Sequence, residues 1–329
     1  MKTTRRDFLG WIGAAGAAVL SSRISADGAE TGKALPKALR HDPALVAFIS
    51  DCHVNGQTEV EHARHQEAKF KEAVAEILRC DPLPSHVLCF GDLAYLWGNK
   101  KDYEACAPVL KLLKDAGIAV TIGMGNHDRR SAFLEVFPEY AERTRVPGNI
   151  VTVTDAGPVD FIMLDSLQGK DDRGPRAPGP GGGVLSPAQQ EWLRDTISRL
   201  KKPTFVCAHH PVGGMSVCGA RLSTLLMDTP LVPGYLHGHD HKWYTSYKWK
   251  SWTNPAILKS LCLPSTGHWG DIGWADMRVA NGLATVSLHQ SDYFFPRPDP
   301  QEPGANRALW KSNVADNQGR TCSFPLSAG

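Results

Sequence analysis

Five short stretches hold residue types able to bind metal ions or move protons. They are Asp51-Cys52-His53, Gly91-Asp92, Gly125-Asn126-His127-Asp128, His209-His210 and His237-Gly238-His239-Asp240-His241. In an extended segment residues i and i+2 face the same side. Asp51 and His53 therefore offer a carboxylate and an imidazole to one ion, and His239 and His241 offer two imidazoles from one loop. Asn126 offers a neutral amide oxygen, His127 a proton near neutral pH, and Asp128 a group to orient that imidazole. Alone, Gly125–Asp128 reads equally well as a polar turn after a strand. Its chemistry depends on the other four stretches.

Each stretch follows an apolar run that reads as a buried strand: Leu45–Ser50, Val87–Phe90, Ile118–Ile122, Thr204–Ala208 and Gly234–Leu236. Open α/β sheets place their ligands just past such strand ends. Helices are expected between them. One starts at a capping box, Thr58-Glu59-Val60-Glu61, and runs to about Cys80 with Phe70, Val74, Ile77 and Leu78 as its apolar stripe. Another spans about Asp102–Ala116 and is capped by Gly117. A third opens at Ser186 with Pro187 in its first turn and a reciprocal Gln189. Strand–helix alternation of this kind marks a layered α/β protein.

A hairpin is expected around Gly157-Pro158, and the Gly- and Pro-dense Gly169–Gly183 reads as a solvent loop or a flap over the substrate. Beyond Trp243 the pattern turns to β, with the run Met277–His289 folded at Asn281-Gly282. Residues 296–329 read as an irregular tail, which leaves 44–295 as the main domain. His41, His62, His65, His86, His268 and His289 read as ordinary hydrogen-bonded histidines.

Residues 1–26 combine a basic start, an apolar run from Phe8 to Leu20 and a polar end at Ser25-Ala26, a signal-peptide layout too short for a stable membrane anchor. Thr4-Arg5-Arg6-Asp7-Phe8-Leu9 resembles the twin-arginine export signal. That resemblance implies the export machinery as a partner and a periplasmic or secreted protein, with 27–43 as a loose lead-in. Without the leader, 32 basic side chains face 33 acidic ones. A near-neutral protein of this kind gives no sign of a nucleic-acid partner. The eight cysteines contain no C-x-x-C pair, and Cys89 and Cys207 lie in apolar strands as small core residues.

Taken in order, Asp51-Cys52-His53, Gly91-Asp92, Gly125-Asn126-His127-Asp128, Val206-Cys207-Ala208-His209 and Gly238-His239-Asp240-His241 resemble the motifs of the calcineurin-like metallophosphoesterases. The likeness covers roughly residues 45–241 and is closest to the branch with bacterial cyclic-nucleotide phosphodiesterases. It implies an α/β fold, a four-layer αββα sandwich, with two metal ions at the sheets' edges. By the family pattern Asp51, His53 and His241 bind the first ion, Asn126, His209 and His239 the second, and Asp92 bridges both. His127 then serves the leaving-group oxygen, and Asp128 holds His127. Imidazole and carboxylate ligands suit Fe, Mn or Zn.

The implied activity is hydrolysis of a small phosphate ester, diester or monoester, by a metal-activated water. Gly91-Asp92-Leu93-Ala94-Tyr95 also fits the purple acid phosphatases, in which such a tyrosine binds iron. Those enzymes have Gly where this chain has His53. A purple-type phosphatase, a nuclease and an inactive binding scaffold are the alternatives.

Overall fold

The apolar runs become strands because both of their faces find cover. In β1 (His41–Ile49), Val46 and Phe48 point to one side and Ala47 and Ile49 to the other, and all four are buried. A strand covered on both faces carries no polar alternation. The computed structural model describes residues 39–56, 61–168, 182–216, 218–249, 257–294, 314 and 319–327. The expected leader at 1–26, residues 58–60 of the expected capping box and 169–181 of the Gly/Pro loop lie outside the described residues. The chain divides between Arg40 and His41 into two units, and the described strands and helices belong to the second.

In the first sheet, β1 runs parallel to β2 (Leu83–Cys89), and β2 to β3 (Ala119–Ile122). The second sheet starts with the expected hairpin of β4 (Thr152–Ala156) and β5 (Val159–Met163). It continues through β6 (Thr204–Cys207), β7 (Tyr235–His237), β8 (Tyr244–Trp249) and β9 (Ile257–Cys262) in the order β4-β5-β6-β7-β9-β8. The chain then returns to the first sheet as β10 (Gly270–Ala280), antiparallel to β1, and β11 (Leu283–Phe294). Asn281 and Gly282 join these two with φ of 51° and 71°, the left-handed pair that a tight hairpin needs.

The helices are α1 (Glu61–Ile77), α2 (Lys100–Asp115), α3 (Arg130–Val136), α4 (Tyr140–Arg143), α5 (Pro187–Ile197) and α6 (Gly219–Met227). Three apolar cores lie between the layers. Phe70, Val74 and Ile77 of α1 and Cys106, Leu110 and Leu113 of α2 cover Ala47, Ile49 and Val87. Phe48 meets Phe90 and Phe161 between the sheets, edge to face, with centroids 5.5 and 5.8 Å away. Leu193 and Ile197 of α5 and Leu222 and Leu226 of α6 close over Ile162, Val206 and Ala208. Three cores separate four layers, the αββα sandwich.

Two expectations are corrected. Ser186 Oγ does accept from Gln189 N at 3.2 Å, but the Gln189 side chain does not reciprocate. It is buried and pairs twice with the Asp165 backbone, accepting from N at 3.0 Å and donating to O at 2.8 Å. The tail is not irregular throughout, because β12 (Thr321–Pro325) pairs antiparallel with β11 and gives the sheet order β12-β11-β10-β1-β2-β3. Polar and apolar residues alternate over Thr321–Phe324, which lets Cys322 and Phe324 face the core from an otherwise open sheet edge.

Candidate dimetal centre

All five ligand-bearing stretches leave the C-terminal ends of parallel strands. Asp51 and His53 follow β1, Asp92 follows β2, Asn126 follows β3, His209 follows β6, and His239 and His241 follow β7. The first two loops are tied together, since Asp51 N donates to Gly91 O at 3.0 Å and His53 N to Asp92 O at 2.9 Å. Six non-glycine residues among those described have positive φ. Five of them are Asp51, His53, Asp92, His239 and His241, at 51°, 45°, 49°, 74° and 53°. Left-handed backbone costs a side-chain-bearing residue about 1–3 kcal/mol and gathers at functional sites. Gly125 lets the third loop close on the second, because a Cβ there would run into Asp92.

The side chains converge in two overlapping groups. In the first, His241 Nε2 lies 3.1 Å from Asp51 Oδ1 and 3.3 Å from His53 Nε2, and His53 Nε2 is 3.6 Å from Asp92 Oδ2. In the second, His209 Nε2 is 3.0 Å from Asn126 Oδ1, 3.1 Å from His239 Nδ1 and 3.2 Å from the same Asp92 Oδ2. His239 Nδ1 is 3.0 Å from Asn126 Oδ1. Ligands about 2.0–2.1 Å from a tetrahedral ion stand about 3.3 Å apart. The observed spacing is therefore that of two coordination shells sharing Asp92.

The outer ring nitrogens confirm which atoms face inward. His53 Nδ1 donates to Tyr95 O at 2.8 Å and His209 Nδ1 to Phe90 O at 2.9 Å, so each Nε2 keeps its lone pair for the centre. These residues fit metal ions: imidazole and amide lone pairs converge on common points that one proton cannot satisfy.

Burial and mutual charge set the protonation. Burial pushes the His53 imidazole down to about 3, so it stays neutral through the physiological range. Burial also disfavours a charged His209, but the adjoining Asp92 carboxylate overrides it and raises this imidazole to about 10. Asp92 itself is held well below the usual carboxylate range by His209 and His127, against the effect of burial. Before a cation binds, Asp92 thus favours a second proton on His209, at the Nε2 that a metal ion would take.

His127 lies at the rim, its ring edge-on to His53 at 4.9 Å, with its backbone N donating to Asp92 Oδ1 at 2.7 Å. Here the expectation for Asp128 fails. His127 Nδ1 donates to Leu96 O at 3.0 Å, so the backbone and not Asp128 holds that ring nitrogen. The Asp128 carboxylate is turned inward and accepts from Gly125 N, Ala94 N and Tyr103 OH at 2.9, 3.1 and 3.1 Å. Burial, with repulsion from Asp92, raises it to about 6. Its task is to bind the second and third loops to α2. Tyr95 gives its backbone oxygen to His53 and its ring stands edge-on to His268 at 6.2 Å, and it is not among the residues lining the cleft.

That cleft encloses about 510 Å3 over His53, Asp92, His127, His239 and His241. Its rim adds Lys242, Tyr244, Trp269 and, above all, His268, read from the sequence as an ordinary hydrogen-bonded histidine, whose ring lies 4.2 Å from that of His53. A larger cavity of about 860 Å3 around Arg130 and Thr144 contains none of the ligands. Size does not locate this site; the ligand geometry does. His210 and His237 are buried beside the ligands, with His210 Nδ1 on Ser166 Oγ at 2.8 Å and His237 Nδ1 on Gly238 O at 2.9 Å.

A sandwich whose strand ends gather six side chains of metal-ligand type around a shared carboxylate defines the class of metal-dependent phosphoesterases. Comparison with known proteins names the family within that class: residues 44–243 match the calcineurin-like phosphoesterases, and the chain belongs to that family. A probable cyclic nucleotide phosphodiesterase of Rhodopseudomonas palustris is 30% identical over 145 residues, 44% of this chain and 48% of that protein. The match thus spans about half of that relative.

Among solved structures, a dimetal phosphatase from Danio rerio superimposes with a TM-score of 0.59 at 14% identity, over 77% of this chain and 98% of that one. A purple acid phosphatase from yellow lupin seeds gives 0.52 at 13% identity, over 75% of this chain and 51% of that one. Both share the fold.

Proposed function

We propose that the protein hydrolyses small phosphate esters at two metal ions, held by Asp51, His53 and His241 on one side, by Asn126, His209 and His239 on the other, and by Asp92 between them. The observation that carries this is the double convergence on Asp92 Oδ2, with ligand spacings of 3.1–4.0 Å in the first group and 3.0–3.2 Å in the second. Ligand chemistry favours Fe, Mn or Zn. When bound, the ions supply an activated water and neutralise charge on the phosphoryl oxygens.

The protein's residues do the rest. Tyr95 O and Phe90 O fix the rings of His53 and His209, and Asp92 also fixes the His127 backbone. His127, with Nδ1 on Leu96 O, has Nε2 free for a second proton. In that form it donates to the leaving-group oxygen as the ester bond breaks.

The likeness to a cyclic nucleotide phosphodiesterase favours a diester. The Thr4–Leu9 motif favours export, and an exported enzyme would meet extracellular organic phosphates and not an intracellular messenger. The test is turnover of nitrophenyl phosphate and its bis ester by protein loaded with Fe, Mn or Zn. Metal-dependent hydrolysis of the diester above the monoester is expected, and hydrolysis of neither would overturn the reading.

A further inference from the structure

His268 lies outside the ligand motifs, 27 positions after His241, yet the fold places it at the lip of the cleft. Its ring lies 4.2 Å from that of His53 and 5.2 Å from that of His241. The turn that carries it is fastened to the first ligand loop. Thr266 N donates to Ser50 O at 2.7 Å, Ser50 N to Thr266 Oγ1 at 3.0 Å, and Ser265 Oγ to Asp51 O at 2.9 Å. His268 N donates back to Ser265 Oγ at 2.8 Å. At Gly267 a Cβ would stand 2.6 Å from Cys52 O and 2.8 Å from Gln66 O, so the turn lies flat against that loop and against α1. The ring position is therefore built into the same scaffold that positions Asp51.

The tautomer decides what the ring can do. Gln66 of α1 donates through Nε2 to His268 Nδ1. A neutral imidazole that accepts at Nδ1 carries its proton at Nε2, and this Nε2 has no protein partner among the described residues. In that form it is a donor at the lip of the cleft; the ring also stands close enough to His53 and His241 for a shared ion, an alternative that the metal content of the variants decides. His127, on the other flank of His53, has the opposite arrangement, with Nδ1 donating to Leu96 O. One rim is set to supply a proton, the other to hold a charge in place.

We propose that His268 is a substrate-binding residue that donates Nε2–H to an oxygen of the phosphoryl group, with Gln66 as the positioning residue that fixes its tautomer. This rests on the phosphoesterase reading of the site, but its test reads binding and not turnover. Inorganic phosphate is titrated calorimetrically into metal-loaded protein, with metal content measured alongside. His268→Ala should keep two ions per chain and bind phosphate about tenfold more weakly, the effect of one hydrogen bond to a charged group. His268→Gln, whose amide can donate, should recover part of that loss. Gln66→Leu should weaken phosphate binding severalfold with the metals retained, and it decides the matter if the His268 variants fold poorly.

Unchanged phosphate affinity in His268→Ala would overturn the proposal. So would loss of an ion, which would make His268 a metal ligand. A wild type that binds phosphate but hydrolyses no ester would sink the hydrolase reading instead, leaving His268 to be judged on the titration alone.

Discussion

The two halves of the proposed metal site are assembled under different constraints. On the side of Asp51, His53 and His241, each ligand sits on left-handed backbone, with φ of 51°, 45° and 53°. On the side of Asn126, His209 and His239, only His239 does, at 74°. Protonation runs the other way. His53 is held neutral down to about 3, whereas His209 keeps a proton up to about 10 through its pairing with Asp92. Closing the first half onto a cation works against backbone strain; closing the second works against a competing proton. Ligand identity alone would make the halves look equivalent, and the difference comes from where each chain segment turns and which carboxylate it meets.

The harshest test of this contrast is the residue both halves share. Asp92→Ala should abolish binding of both ions, and turnover should fall by more than the roughly 100-fold typical of an outer-shell change. Metal analysis showing one ion retained at full affinity would break the shared-bridge geometry. Next, His127→Ala should keep both ions and lower turnover by about 10²–10⁴-fold. The loss should be smallest for nitrophenolate, which leaves without a proton; equal losses across leaving groups would remove His127 from that step.

The halves themselves are separated by pH. A proton bound to His209 up to about 10 must leave before a cation can bind. Affinity in the second half should therefore rise about tenfold per pH unit between 7 and 9, with one proton released per ion. His53 in the first half has no such proton to lose above about 3 and adds no such slope there. Acidification should strip the second-half ion first. Calorimetry in buffers of different ionisation enthalpy reads this directly, and identical proton release from both ions would erase the distinction. The smallest effect expected is from Tyr103→Phe. Its hydroxyl donates to Asp128 and accepts from Arg129 N at 2.8 Å, so thermal stability should fall by about 1–3 kcal/mol while metal content is unchanged.

Much of this centre is legible in sequence because apolar strands end abruptly in ligand residues, and parallel strands bring their ends to one edge. Gln189 and Asp128 mislead for a common reason. Nearness in sequence suggested a partner, but the tertiary fold offered a better one: the Asp165 backbone in one case, and Gly125 N, Ala94 N and Tyr103 OH in the other. His268 was hidden differently. Nothing in Pro264-Ser265-Thr266-Gly267 marks a site until the Ser50–Thr266 hydrogen bonds show where that turn is fastened. β12 escaped because a five-residue strand lying far along the chain gives almost no periodic signal, and its alternation has meaning only beside β11.

That late strand has a consequence for how the molecule comes into being. Phe324 packs edge-on to Phe205 of the opposite sheet at 5.3 Å, and Lys259 of β9 donates to Ser323 O at 2.8 Å. β12 therefore rests on one sheet and plugs the core of the other. During translation every proposed metal ligand has left the ribosome more than 80 residues before Phe324 does. The nascent chain thus carries all of these residues while the core between its sheets still lacks Cys322 and Phe324.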